Sequence, residues 1–205
     1  DLWAGGCVWI AGLDEVGAGP LAGPLFAACV VLDPKRTDHL VGVNDSKQLT
    51  ANMRNELDLQ IRGNVLAFAI GECSVEEIDT INIRNAAFLG MQRALAAVEM
   101  ELGTVHHLLV DAHKLDVDRA QTPLIKGDSL SLSIAAASII AKVARDRVMN
   151  GFATTYPGYG FERHKGYATA DHREALEKLG PCPIHRRSFE PVRTREAVAS
   201  SAPSA

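Results

Sequence analysis

The chain has 205 residues, of which 47% are hydrophobic and 22% charged, which is the balance of a globular domain with its own core. Its longest apolar runs, Leu25–Leu32 and 65–70, are far shorter than the ~20 residues needed to cross a bilayer. No secretory signal pattern opens the chain, so we expect a cytoplasmic protein without membrane contact, and we also expect a monomer. The net charge of −4 alone argues against a nucleic-acid binder, but Lys and Arg outnumber Asp and Glu in residues 142–193. Either a phosphate-binding edge or an ordinary solvated surface fits that region.

The first half of the chain contains three strand patterns followed by a helical one. Residues 8–14 predict the first strand, and Leu25–Leu32 is a continuous apolar run of the kind that forms a strand covered on both faces. Residues 65–70 predict a third strand. The apolar residues of 83–98 recur at helical spacing and predict a helix with one buried stripe.

The second half alternates short strands with helices. His107–Asp111 predicts a fourth strand, and 123–126 is a candidate for a fifth. Residues 132–149 carry the strongest helical pattern in the chain, with an apolar face. A shorter helix is expected at Ala170–Leu179, because a Gly-Pro pair follows it.

This order of elements predicts the fold class. Three strands, a helix, another strand and further helices indicate an α/β protein with a mixed β-sheet and helices on its faces. Because we find no internal repeat and no linker, we expect a single domain over 1–193. Residues 194–205 are mostly Ala, Ser and Pro, and we expect them to form a disordered tail.

Acidic residues follow two of the predicted strands. Asp14 and Glu15 come after the first strand, which the glycines and proline that follow predict to end there, and Asp111 closes the fourth. If these strands are parallel neighbours, Asp14 and Asp111 meet at one edge of the sheet, where ligands gather in α/β proteins. Asp128 precedes the 132–149 helix and fits either a fourth ligand or a turn residue.

Oxygen ligands without a nearby His/Cys pair suit Mg²⁺ or Mn²⁺ better than zinc. Two such ions, roughly 3.5–4 Å apart, can bracket a phosphodiester, where one activates water and the other stabilises the departing oxygen. Several carboxylates are then needed to offset four positive charges. The pattern therefore predicts a two-metal phosphodiesterase site.

Several motifs in this sequence resemble bacterial ribonuclease HII. The opening motif of that family is similar to residues 11–24, AGLDEVGAGPLAGP. Further matching segments follow in the family's order: 44–49 NDSKQL, 126–128 KGD, 135–146 AAASIIAKVARD, 164–167 HKGY and 183–192 PIHRRSFEPV. The resemblance implies a ribonuclease H-like sheet. It also implies cleavage of the RNA strand in RNA/DNA hybrids and nicking of duplex DNA on the 5′ side of embedded ribonucleotides.

The resemblance also assigns roles to the acidic residues. It implies that two divalent cations are held by Asp14, Glu15, Asp111 and Asp128, which would be both the metal ligands and the catalytic residues. Asp146 is acidic too, but helical spacing lets it pair with Lys142, and the family's fourth ligand matches Asp128.

Substrate choice needs a group that detects the 2′-hydroxyl, which separates RNA from DNA. The family uses the backbone of a Gly-x-Gly segment and a tyrosine, and the matching residues here are Gly17, Ala18, Gly19 and Tyr167. Glycines permit close backbone approach, so this assignment is physically reasonable. An ordinary strand-to-loop turn is the alternative.

The remaining polar residues of the motifs are weaker candidates. Asn44, Ser46 and Lys47 resemble a phosphate-contacting loop. Three basic residues have two equally good interpretations, a contact to the DNA strand or an ordinary place on the surface: Lys165, Arg186 and Arg187. Two histidines also have two equally good interpretations, a contact to the substrate or burial with hydrogen bonds: His164 and His185.

The sequence departs from the family at two positions. Ala18 stands where the family usually has arginine, which removes a side-chain contact but not a backbone contact. Ala112 stands where the family usually has glycine, which would strain the chain if that position needs a positive φ.

Two alternatives stay open: a ribonuclease HIII-like hybrid nuclease, and a hybrid-binding module that no longer cleaves.

Overall fold

The computed structural model describes residues 2–44, 46 and 49–194, and a five-stranded sheet forms its centre. The sheet order is β3-β2-β1-β4-β5. The strands are β1 Ile10–Val16, β2 Leu25–Leu32, β3 Val65–Cys73, β4 His107–Asp111 and β5 Ala120–Leu124. Strand β1 is antiparallel to β2 and parallel to β4, and β4 is parallel to β5, which confirms the α/β class with a mixed sheet.

Helices flank the sheet, as the sequence predicts, since residues of α1 Ala51–Asn64, α3 Ile83–Leu102 and α5 Leu132–Thr155 share its hydrophobic clusters. The further helices are α2 Val75–Ile81, α4 Gly127–Leu130, α6 Phe161–His164 and α7 Ala170–Leu179, with a 3-10 turn at Thr37–Leu40. Within the described ranges, none of the helices is long and apolar enough to pass through a bilayer.

Some predicted bounds are wrong, for local physical reasons. Strand β1 starts and ends two residues later than expected, because its pairing with β2 continues through Val16. Strand β5 begins three residues before the predicted 123–126 segment, because its partly exposed residues carry little apolar signal. Helices α1 and α2 went unpredicted, although Thr50 caps the first and a Ser74–Glu77 capping box starts the second.

The described residues form two compact units. The first unit consists of Asp1–Val16, Phe26–Glu72 and Ala87–Ala144, of which the structure describes 2–16, 26–44, 46, 49–72 and 87–144. In it, one face of β2 shares a hydrophobic cluster with Met91 and Leu95 of α3. The other face shares a second cluster with Ile61 of α1 and Ile139 of α5. Burial on both faces explains why the β2 sequence is apolar throughout.

The second unit consists of Gly17–Leu25, Cys73–Ala86 and Arg145–Ala205, of which the structure describes residues up to Thr194. Its main hydrophobic cluster includes Ala22, Met149 and Phe161. The backbone of Ala22 forms an isolated antiparallel bridge with His185, so the chain just after β1 is held by the segment near the C-terminus.

Candidate active site

Asp14 and Asp111 lie at the same edge of the sheet. Strands β1 and β4 are parallel neighbours, and their register pairs Leu13 with Val110, so the next residue on each strand is an aspartate. This confirms the expectation that the two strands adjoin. Asp14 is buried, with 5% of its surface exposed, whereas Asp111 is partly exposed at the end of β4.

Glu15 is placed differently from the expectation. The prediction that β1 ends at Asp14 is wrong, because Glu15 is still paired with Ala27 of β2. Successive side chains of a strand point to opposite faces, so strand geometry alone does not bring the Glu15 and Asp14 carboxylates together. The Glu15 amide nevertheless donates a 2.7 Å hydrogen bond to the Asp14 carboxylate.

Asp128 is tied to Asp111 through the turn that begins α4. Lys126 has a positive φ of 57°, and the following Gly127 amide donates to Asp111 Oδ1 at 2.7 Å. A Cβ on Gly127 would stand 2.6 Å from Ile134 Cδ1 and 3.2 Å from Asp111 Oδ1, so a larger residue would displace these side chains. Asp128 follows directly and is 5% exposed.

The carboxylates of this edge repel one another. The pKa of Asp14 is raised to about 8, first by burial and then by the nearby carboxylates of Glu15 and Asp111, while a hydrogen bond with Ser138 lowers it. A bound cation would relieve both the burial penalty and the repulsion. The site therefore favours positive charge.

Ser138 is a site residue to which the sequence analysis assigned no role. It lies on α5, and its hydroxyl is 2.8 Å from that of Ser46. Ser46 is only 3% exposed, which favours support of Asp14 through Ser138 over a direct phosphate contact. A serine inside an otherwise apolar helical segment was the available signal. Asn44 is exposed, and Lys47 lies outside the described residues.

The donor set fits a hard divalent cation, because it consists of carboxylate oxygens on the sheet edge and the adjoining turn. Across the part of the chain that the structure describes, no group of three or more His, Cys, Asp or Glu side chains is gathered closely enough to hold a metal ion.

The second unit brings together the residues that resemble the ribose-reading segment. Gly17 has a φ of 95°, and a Cβ there would collide with the guanidinium group of Arg145. A Cβ on Gly19 would stand 3.8 Å from the ring of Tyr167, so these two residues adjoin. Ala18 and Gly19 are exposed, and Tyr167 is 41% exposed.

Buried histidines support the backbone of Tyr167. The carbonyl of Tyr167 is 2.9 Å from His172 Nδ1, and His172 Nε2 is 3.1 Å from His185 Nε2. The amide of Tyr167 donates to the carbonyl of His164. His164 and His185 are thus buried, hydrogen-bonded histidines, which answers the alternative left open by the sequence.

The basic residues near the C-terminus divide into buried and exposed ones. Arg186 has no exposed surface, so neither of the alternatives left open by the sequence, a contact to the DNA strand or an ordinary place on the surface, fits it. Arg187 is exposed, and its backbone amide donates to Asp79. Lys165 is partly exposed and donates to Asn150 Oδ1 at 2.6 Å.

Comparison with known proteins gives consistent results. The family model described as Ribonuclease HII matches residues 11–192. Ribonuclease HII of Anaeromyxobacter is 50% identical, over 94% of this chain and 60% of the relative's length. Ribonuclease HII of Halorhodospira halophila is 49% identical, over 90% of this chain and 93% of the relative. The crystal structure of ribonuclease H2 from Pyrococcus horikoshii superposes with a TM-score of 0.80 at 27% identity, covering 95% of this chain and all of that one.

Proposed function

This chain belongs to the ribonuclease HII family, and on that premise we propose that it is an endonuclease that hydrolyses the RNA strand of RNA/DNA hybrids. We further propose that it nicks duplex DNA on the 5′ side of an embedded ribonucleotide and leaves 3′-hydroxyl and 5′-phosphate ends. The observation that carries the proposal is the pair of aspartates, Asp14 and Asp111, at one edge of the sheet on adjoining parallel strands, inside a chain that matches the family over residues 11–192.

In this proposal Asp14, Glu15, Asp111 and Asp128 hold two divalent cations, Mg²⁺ or Mn²⁺. When bound, these ions would supply the charge that activates a water molecule and stabilises the departing 3′-oxygen. Asp14 and Asp111 provide a rigid base for the site, because both are anchored in the sheet. Glu15 and Asp128 supply the further carboxylates that two ions require.

The backbone of Gly17, Ala18 and Gly19 and the ring of Tyr167 recognise the ribose. The adjoining, exposed positions of Gly19 and Tyr167 support this role, because a sugar could contact the backbone and the ring together. Asn44 and Lys47 contact the phosphate backbone, whereas Ser46 supports Asp14 through Ser138. Residues 1–193 act as one catalytic domain, and the protein works as a cytoplasmic monomer.

The alternatives are less well supported. Relatives whose sequences are 49–50% identical to this chain are named ribonuclease HII, which favours that family over ribonuclease HIII. A hybrid-binding module without activity is disfavoured because all four carboxylates are present.

The test is cleavage of two duplexes: a continuous RNA/DNA hybrid, and DNA with one ribonucleotide. We expect Asp14→Asn and Asp111→Asn to abolish cleavage while hybrid binding survives, because each removes a metal ligand and leaves the basic surface intact. Asp116→Asn makes the same charge change at an exposed position and should keep parent activity. Near-normal cleavage by Asp14→Asn at saturating Mg²⁺, or 2′,3′-cyclic phosphate products from the parent, would contradict the proposed mechanism.

A further inference from the structure

The proposed ribose-reading segment is held from inside the second unit by one buried arginine. The guanidinium group of Arg186 donates to the carbonyl of Gly17 at 2.6 Å and to the carbonyl of Ala18 at 3.1 Å. Its Nε also donates to the carbonyl of Gly23 at 3.0 Å. Arg186 therefore uses its donors on the backbone and is fully buried while doing so.

These hydrogen bonds determine where two amide groups point. A peptide unit is planar and trans, so its N–H points away from its own C=O. The Gly17 carbonyl belongs to the same peptide unit as the Ala18 amide, and the Ala18 carbonyl to the same unit as the Gly19 amide. Because both carbonyls face Arg186, both N–H groups face away from it, on residues that are exposed.

The two N–H groups are available for a ligand. Within the described residues, neither the Ala18 nor the Gly19 amide donates to a protein acceptor. Successive backbone N–H groups that point to one side form a concave site for a negatively charged or electron-rich oxygen. A cation bonded to the carbonyl end of each peptide unit also polarises that unit and strengthens its N–H as a donor.

The hydrogen bonds to the backbone carbonyls compensate the buried charge of Arg186. Burial and the nearby Arg145 lower the pKa of Arg186 to about 9, and Asp79 opposes that shift. A buried cation is expensive unless it is well compensated by hydrogen bonds. An apolar residue could fill the same volume, but it could not orient the two peptide units.

We propose that Arg186 is a positioning residue, which aims the Ala18 and Gly19 amides at an oxygen of the ribonucleotide, either the 2′-hydroxyl or the adjoining phosphate. This rests on the function proposed above. Arg186 does not touch substrate; it acts through the backbone that does. The absence of the family's usual arginine at Ala18 leaves this backbone contact intact.

The experiment measures KM and kcat for Arg186→Lys on a DNA duplex with one ribonucleotide. Lysine keeps the charge but cannot bond both carbonyls in the fork geometry of arginine. We expect KM to rise about 10- to 30-fold, as the loss of two oriented hydrogen bonds implies, with a smaller change in kcat. A matched all-DNA duplex should bind both proteins equally.

Tyr159→Phe is the matched control. Tyr159 is buried in the same unit, and its hydroxyl donates a 2.6 Å hydrogen bond to the backbone carbonyl of Gly180, outside the ribose-reading segment. We expect a loss of melting temperature with KM close to that of the parent. An equal rise of KM in both variants would overturn the proposal, because general loosening would then explain it.

A second variant guards against misfolding of Arg186→Lys. Replacing Ala18 by lactic acid turns its backbone N–H into an ester oxygen and leaves Arg186 in place. We expect a KM increase of about tenfold from the loss of one donor.

An all-DNA competitor and a duplex whose single ribonucleotide carries 2′-O-methyl distinguish phosphate from 2′-hydroxyl recognition. If the parent cleaves and the ester variant has parental KM, this inference is wrong; if the parent does not cleave, the proposed function itself fails.

Discussion

Replacement of Gly12 by alanine should destabilise the protein through a direct collision between backbones. Gly12 lies in the middle of β1, where the start of α5 crosses the strand. A Cβ there would stand 2.5 Å from both the amide nitrogen of Ile134 and the carbonyl oxygen of Ser133, and closer still to the carbonyl carbon of Ser133. No side-chain rotation can relieve these contacts, because all three atoms belong to the main chain.

The size of the effect follows from these distances. Carbon atoms in van der Waals contact stand ~3.5–4.0 Å apart, so strand and helix must separate locally by about 1 Å. Overpacking a core typically costs ~1–3 kcal/mol, and a rigid backbone pair belongs at the upper end, so we expect about 3 kcal/mol. For a protein of this length that lowers Tm by about 6–12 °C. Asp14 follows Gly12 by two residues on the same strand, so activity should fall as well.

The assay is urea unfolding of Gly12→Ala beside Gly151→Ala. Gly151 lies in the same helix α5, and a Cβ there meets nothing within 4 Å. Alanine is the better helix former, so this control should gain ~0.5–1 kcal/mol. If Gly12→Ala unfolds within about 0.5 kcal/mol of the parent, the strand–helix contact is looser than described and the reasoning fails.

Three further predictions follow from single residues. Ala112 has a φ of 57°, so Ala112→Gly should relieve strain and raise the free energy of unfolding by up to ~1 kcal/mol; a lower Tm would contradict this. The pKa of His185 is lowered to about 4 by burial and then by His172, so the unfolded chain binds more protons between about pH 4 and 6.5. Stability should therefore fall by up to ~3 kcal/mol as the pH decreases through that window, and the His185→Gln variant should show a flatter pH profile in thermal melts. Ala18→Arg should add one phosphate contact and steepen the slope of log K against log salt by about one unit without moving the cleavage site; a changed cleavage position would show that the side chain reads the ribose.

The sequence determined the elements whose signals are local. Strands β2 and β4 and helix α7 have the predicted bounds, because apolar runs and a Gly-Pro stop act over neighbouring residues. The meeting of Asp14 with Asp111 was also predictable, since parallel strands bring their carboxyl ends to one edge. The sequence also predicted that Ala112 would be strained if its φ were positive, but only the structure shows that this φ is positive.

Tertiary structure alone decided which polar residues are buried and what they hold. Arg186 and Gly17 are 169 positions apart, and Ser46 and Ser138 are 92 apart, so neither pair has a periodic signal. A surface arginine and a buried one look alike in sequence, because the difference lies in acceptors supplied by a distant segment. The same holds for Gly12, whose lack of a side chain matters only where the main chain of α5 crosses it. Hydrophobic periodicity reports the surroundings of a residue within a few positions, whereas burial and hydrogen-bond partners depend on chain segments that only folding brings together.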